Sequence, residues 1–129
     1  MRPNIHIDDI TDLYVDLLEI DTAKVAGEIF NVGYQNHTVA EIAVMVKNVV
    51  ENEMPDKAPI NIETTPSDDL RSYHISSEKI ARILDFHPRR TIGDAVRDVC
   101  CALREGKLPN SLKDDRYFNV NAVKGIGLQ

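Results

Sequence analysis

An amphipathic helix held between two short extended stretches occupies the first 33 residues, and that succession restricts the chain to a mixed α/β fold. Asn4 to Ile7 is short, partly β-branched and extended in character. It ends in Asp8-Asp9, and an Asp there caps a helix by accepting from its free backbone amides. Ile10, Leu13, Tyr14, Leu17 and Leu18 then follow the i, i+3, i+4, i+7, i+8 spacing of one helix face. The helix should end near Asp21. Glu28-Ile29-Phe30-Asn31-Val32 reads as a strand closed by Gly33. A helix crossing between two strands predicts that the stretches near Ile5 and Phe30 pair in parallel.

The alternation continues. Thr38-Val39-Ala40-Glu41 is a capping box, in which the hydroxyl serves an amide of the first turn and the carboxylate reaches back. The helix it opens directs Val39, Ile42, Ala43, Val46, Val49 and Val50 inward. Pro55 and Pro59 bracket a loop, and the alternating Ile60 to Thr64 reads as a half-buried strand of a smaller lobe. Ser76 or Ser77 caps a short helix that buries Ile80, Ile83 and Leu84. Pro88 interrupts the chain, and Thr91-Ile92-Gly93-Asp94 starts a last helix through Ala95, Val96, Val99, Cys100, Ala102 and Leu103. Gly106 and Pro109 end it. The expected fold is therefore four helices with three or four short strands over residues 1–108. An extended tail follows over 109–129, polar from Ser111 onward, with Gly125 and Gly127 and with Tyr117-Phe118 and Val120 available to dock on a surface.

Composition narrows the function. The chain has 129 residues, no Trp and 5% aromatics, so a single core must rest on Ile, Val and Leu. Twenty-one acidic against 15 basic residues give a net charge of −6, which argues against a nucleic-acid footprint. A local pair of arginines holding one diphosphate is still compatible with it. No apolar run approaches the roughly 18 residues of a membrane span, and no basic-then-apolar leader is visible. Cys100 and Cys101 are adjacent, a spacing that strains a disulfide, so they read as thiols of a cytoplasmic protein.

Several segments, taken in order, resemble a known family. Arg2-Pro3-Asn4-Ile5-His6-Ile7-Asp8-Asp9 comes first, then Asn31-Val32-Gly33 and the Thr38-x-x-Glu41 helix. Asp69-Leu70-Arg71-Ser72-Tyr73 follows, then Ser77-Glu78-Lys79-Ile80 with Leu84-Asp85-Phe86-His87-Pro88, and last the helix led by Thr91. The series, over about residues 2–105, is similar to the C-terminal segments of the extended short-chain dehydrogenases, the NAD-dependent nucleotide-sugar epimerase/dehydratase family. The resemblance implies the C-terminal part of a doubly wound, Rossmann-type α/β enzyme with a small substrate lobe. It implies a nucleoside-diphosphate sugar as ligand, held by residues at the positions of Arg2, Asn4, Arg71 and Tyr73. The chemistry suits them. A diphosphate offers several anionic oxygens, a guanidinium offers a planar fork of donors, and a phenol adds one more.

Read without the family, Arg2 is a solvated charge near a chain end and Arg71 half of a surface ion pair with Asp69. His6, between Ile5 and Ile7, reads as a structural histidine that bonds backbone or a capping Asp, not as a catalytic base. His37, His74 and His87 show no metal-ligand spacing. Asp68-Asp69 reads as loop charge or a cap. The family's Gly-x-x-Gly-x-x-Gly turn is not in the sequence, nor is its Tyr-x-x-x-Lys: four residues after Tyr14, Tyr34, Tyr73 and Tyr117 stand Leu18, Thr38, Ser77 and Asn121. In the family the Arg-Pro segment follows a long dinucleotide-binding half, whereas here only Met1 precedes it. The chain is therefore expected to be a substrate-binding fragment with no catalytic residues and no cofactor of its own, NAD or NADP belonging to the parent family. The face left by the missing half should be apolar and should make the chain a homo-oligomer. The alternatives are a self-associating module without ligand, or one half of a two-chain enzyme.

Overall fold

Four helices and one two-stranded antiparallel sheet make up the described residues of the computed structural model, which are 1–66, 71–118 and 122–123. In chain order they are β1 (Arg2–Asn4), α1 (Ile7–Glu19), β2 (Gln35–His37), α2 (Val39–Glu53), α3 (Glu78–Leu84) and α4 (Ile92–Arg104). Short 3₁₀ turns lie at Thr22–Lys24, Pro55–Lys57 and Asp115–Tyr117. The chain divides into two compact units, Met1–Asp98 and Val99–Gln129. The mixed α/β class expected from the sequence is present.

Within Met1–Asp98 the core is small and built as the composition requires. Leu13 from α1, Ile80 from α3 and Phe86 beyond α3 are its buried centre, with Ile5, Leu17, Phe30, Val32 and Leu84 packed around them. Burying side chains of this size stabilises by about 1.5–3 kcal/mol each.

The strand pairing differs from the expectation. β1 pairs with β2 in antiparallel register, Arg2 opposite His37, Pro3 opposite Asn36 and Asn4 opposite Gln35. Glu28 to Val32 forms no ladder. Phe30 and Val32 do face the core, but side chains occupy the neighbouring backbone groups. The Ser77 hydroxyl accepts from Gly33 N–H at 2.8 Å and donates to its carbonyl at 2.7 Å, and Lys79 Nζ donates to the Ile29 carbonyl at 2.8 Å. Ile60 to Thr64 is likewise no strand. Glu51 Oε1 accepts from Ile60 N–H and Lys47 Nζ donates to the Ile60 carbonyl, so α2 satisfies that backbone.

Helix ends follow local chemistry. Thr38 and Glu41 form the expected capping box, with Thr38 Oγ1 accepting from Glu41 N–H at 3.2 Å and Glu41 Oε2 accepting from Thr38 N–H at 2.7 Å. Thr91 and Asp94 repeat the arrangement at α4, and the Thr91 hydroxyl and amide, with Arg97, hold the Asp94 carboxyl far below the usual range. At α1 the cap is His6, not Asp8 or Asp9: His6 Nδ1 accepts from Asp8 N–H at 3.1 Å. The helix ends at Glu19. Ser77 precedes α3, but its hydroxyl is committed to Gly33, and Ser76 Oγ accepts from Glu78 N–H instead. α2 has no fully buried residue, and Val39 and Val46, expected inside, are exposed.

The faces of α1 are also rotated from the expected ones. Leu13 is buried and Ile10 and Leu17 half-buried, while Tyr14 and Leu18 are exposed. Asp9 takes a place on the inner face. It is 2% exposed, and its carboxylate accepts from the backbone N–H of Arg89 and of Arg90, each at 3.0 Å, and from Arg90 Nη1 at 2.7 Å. Arg90 also reaches Asp12 at 2.7 Å. Burial pushes the Asp9 carboxyl up, but the Arg90 and Arg89 donors outweigh it and leave it below its ordinary value.

Within Val99–Gln129, α4 closes on Gly106 at φ 68°, where Lys107 N–H reaches the Ala102 carbonyl at 2.9 Å, a left-handed stop that favours glycine. Residues 109–118 fold into successive turns, with Lys113 and Asp114 N–H on the Asn110 carbonyl. The Arg116 guanidinium and amide hold the Asp114 carboxyl down at about 2. Cys100 is buried, Cys101 exposed, and both are free thiols. Val120, Gly125 and Gly127 lie outside the described residues.

Replacing Asp9 by Ala strands two backbone amides and leaves the Arg90 guanidinium with Asp12 as its hydrogen-bonded carboxylate, and should lower stability by about 3 kcal/mol in urea titrations near neutral pH. Because the folded carboxyl is lowered, its contribution is present above the normal carboxylate range and fades as pH falls through the lowered value. The deficit of Asp9→Ala relative to wild type should therefore shrink in acid.

Candidate functional site

Opposite residues in an antiparallel pair project to the same face, and neighbours along a strand alternate. The register therefore places Arg2 and Asn4 of β1 on one face with Gln35 and His37 of β2, and Pro3 with Asn36 on the other. Residues 73–77 run beside this pair and are fixed to it at several points. Tyr73 N–H donates to the Met1 carbonyl at 3.2 Å. The Asn36 side chain grips Ile75 at both ends, Oδ1 accepting from its N–H and Nδ2 donating to its carbonyl, each at 3.2 Å. The Ser77 hydroxyl clasps Gly33, whose missing Cβ would stand 2.5 Å from Ile75 Cδ1.

This clamp brings together two of the four residues singled out from the sequence. The Arg2 guanidinium carbon lies over the Tyr73 ring at 5.8 Å from its centroid, within the range of a cation–π contact. Tyr73 is 53% exposed, so one side of the pair is open to solvent. Arg71 is exposed on the same segment. Asn4 is turned back on its own strand, Nδ2 donating to the Arg2 carbonyl at 2.8 Å, which fixes the backbone that carries Arg2. The arrangement sets a guanidinium beside a phenol ring. These four side chains include no nucleophile paired with a base.

Two further residues enter from β2. Gln35 Oε1 accepts from Ile92 N–H at 3.1 Å, so it serves the first turn of α4. His37 Nδ1 lies 3.8 Å from Glu41 Oε2, and its Nε2 is buried with no hydrogen-bond partner. Donors from Thr38 chiefly, with His37 beside them, hold the Glu41 carboxyl below its ordinary value and thus ionised. Gln35-Asn36-His37 is a three-residue polar strand without apolar alternation, so nothing in its pattern marks it.

The other clusters do different work. His6, Asp8 and Asp98 present ligand atoms within 4.8 Å of one another. His6 Nδ1 already accepts from Asp8 N–H, so in the neutral ring Nε2 carries the proton and faces Asp98 Oδ2 at 3.2 Å. No ring lone pair is left for a cation, and His6 is a structural cap. A cavity of about 300 Å³ is lined by Asp9, Asp12, Asp16 and Asp85 with Phe86 and Arg89, a carboxylate-rich lining that repels a diphosphate. Asp68 and Asp69 lie outside the described residues.

The Ser77 clasp is what seats the Tyr73 segment against β1. Ser77→Ala leaves a part-buried N–H and carbonyl of Gly33 unpaired and should cost about 2 kcal/mol in thermal or urea unfolding, whereas Ser76→Ala should cost under about 1. No family model, curated protein or solved structure matches the chain.

Proposed function

We propose that the chain binds a nucleoside-diphosphate sugar and represents the C-terminal substrate-binding portion of an NAD-dependent epimerase/dehydratase, within a doubly wound, Rossmann-type enzyme. The observation that carries this reading is the meeting of Arg2 and Tyr73. They lie far apart in sequence, the resemblance gives both to the same ligand, and the Asn36, Ile75 and Ser77 bonds hold them in place. A fixed guanidinium with a phenol beside it suits an oxygen-rich diphosphate. The hydride and acid–base chemistry of the family is not assigned to these residues, because neither the glycine turn nor the Tyr-x-x-x-Lys pair occurs among them. NAD or NADP belongs to the parent family's chemistry, not to this site.

Calorimetric titration with UDP, dTDP, GDP and CDP, with NAD as control, tests the proposal. Saturable binding of at least one diphosphate without NAD binding is expected. The Arg2→Glu, Arg71→Glu double variant should lose it at least tenfold, since each reversal replaces a charge-assisted bond with repulsion. Unchanged binding by the double variant would remove these residues from the site.

Self-association is a second reading, favoured by the outer face of α1. Ile7, Tyr14 and Leu18 share a helical stripe and are 70%, 66% and 86% exposed, with Val15 beside them at 55%. Contiguous apolar exposure of this kind marks an interaction surface. The helix carries no basic residue in its last turn and Asp8, Asp12 and Asp16 along it. Two copies meeting here would repel, and added salt should favour their association. Sedimentation should show a dimer that grows with salt and is abolished by Leu18→Lys. A monomer at every concentration and salt level would exclude it.

A further inference from the structure

α1 turns two chemistries toward solvent, side by side. At about 100° per residue, Tyr14, Ile7, Leu18 and Val15 fall in succession around one side of the helix, and all four are exposed. From Ile7 to Leu18 this stripe runs roughly 16 Å, about three turns. Asp8, Asp12 and Asp16 follow next around the helix, spaced every fourth residue and exposed. The helix itself carries no Lys or Arg. Arg90 serves Asp8, Asp9 and Asp12 together, three carboxylates about one guanidinium, so the acidic stripe keeps an excess of negative charge. Where the two stripes meet, Val15 opens onto the groove of about 300 Å³ with Phe86 in its wall and Asp12, Asp16 and Asp85 around it, against Arg89.

We propose that this face docks a basic amphipathic helix of another protein, its apolar side chains on the Tyr14, Ile7 and Leu18 stripe and its lysines or arginines along the aspartates. The inference goes beyond the sugar-nucleotide reading and does not rest on it. Charge decides between the occupants that an exposed apolar helix face can take. Two copies of this chain set aspartate against aspartate, and they meet only where salt screens the repulsion. A lipid surface is itself negative and takes helices whose flanks are basic. A basic helix alone meets apolar side chains with apolar ones and carboxylates with cations, which adds steering at long range to burial at contact. The groove fits the same partner: a long basic side chain lays its alkyl stem on Val15 and Phe86 and its charged head by Asp16 and Asp85.

The test titrates the full chain into a fluorescent synthetic peptide of about four helical turns, with leucines on one face and lysines beside them. One control peptide has glutamate for every lysine, and a second has the same composition shuffled so that no apolar face forms. Anisotropy is read at about 0.01 M and about 0.15 M salt, between which the screening length falls about threefold or more. Expected is saturable binding of the leucine–lysine helix at low salt, at least tenfold weaker at the higher salt and at least tenfold weaker for either control. Leu18→Ser removes an anchor of the stripe and should weaken binding about tenfold; Asp16→Lys reverses one charge and should weaken it at least fivefold. Both positions are exposed, and the unfolding curve of each variant should match wild type. Equal binding of the shuffled peptide, or binding that neither variant weakens, would mean attraction to net charge without a docking face and would overturn the proposal. No binding of the leucine–lysine helix would overturn it as well, and a dimer under those conditions would then give the face to a second copy.

Discussion

The carboxylate of Asp9 is the contact on which the arrangement of unit Met1–Asp98 depends. It lies on the inner face of the first helix and collects the amides of Arg89 and Arg90, 80 residues further along the chain. A buried carboxylate is costly unless its oxygens are filled, and here two backbone donors and a guanidinium fill them. The bond does more than neutralise a charge. It fixes where the chain leaves α3, and so where α4 begins. Gln35 then meets Ile92 at the start of α4, which ties the two-stranded sheet to the same frame.

From that frame the candidate site follows by short steps. β1 is three residues long and would hold little by itself. It pairs with β2, the Tyr73 amide bonds the Met1 carbonyl just ahead of it, and His6 beyond its end caps α1. Asn36 and Ser77 seat the returning segment through paired donor and acceptor bonds, which fix both distance and direction. Arg2 and Tyr73 are thus presented by backbone that the fold determines from several directions, the preorganisation an anion site needs. Among the described residues, α1 carries Asp8, Asp9, Asp12 and Asp16, and the groove beside Phe86 is lined by Asp9, Asp12, Asp16 and Asp85.

Much of the secondary structure was legible because it rests on local rules. The Thr38–Glu41 box, the Thr91 start of α4 and the Gly106 stop depend only on side chains within one turn. The strands were harder. Glu28 to Val32 has the composition and the inward Phe30 and Val32 of a strand, but a ladder needs a partner, and Ser77 and Lys79 claim the neighbouring backbone. β2 is entirely polar and invisible to a hydrophobic pattern. The inner face of α1 was misplaced because Asp9 counts as polar in any periodicity, and only a distant pair of amides makes it a core residue. Arg2 and Tyr73 were singled out through a resemblance, and their proximity depends on long-range contacts that no spacing encodes. His37 had no signal at all, since an unsatisfied ring nitrogen is a property of packing.

The most direct measurement of the central claim locates the ligand: amide chemical shifts of the labelled chain followed during titration with the sugar nucleotides. The account predicts saturable shifts concentrated at residues 2–4, 35–37 and 71–77, with the tyrosine ring of Tyr73 moving alongside. Shifts confined to α1 or to the groove around Phe86, or none at all in a folded sample, would contradict it.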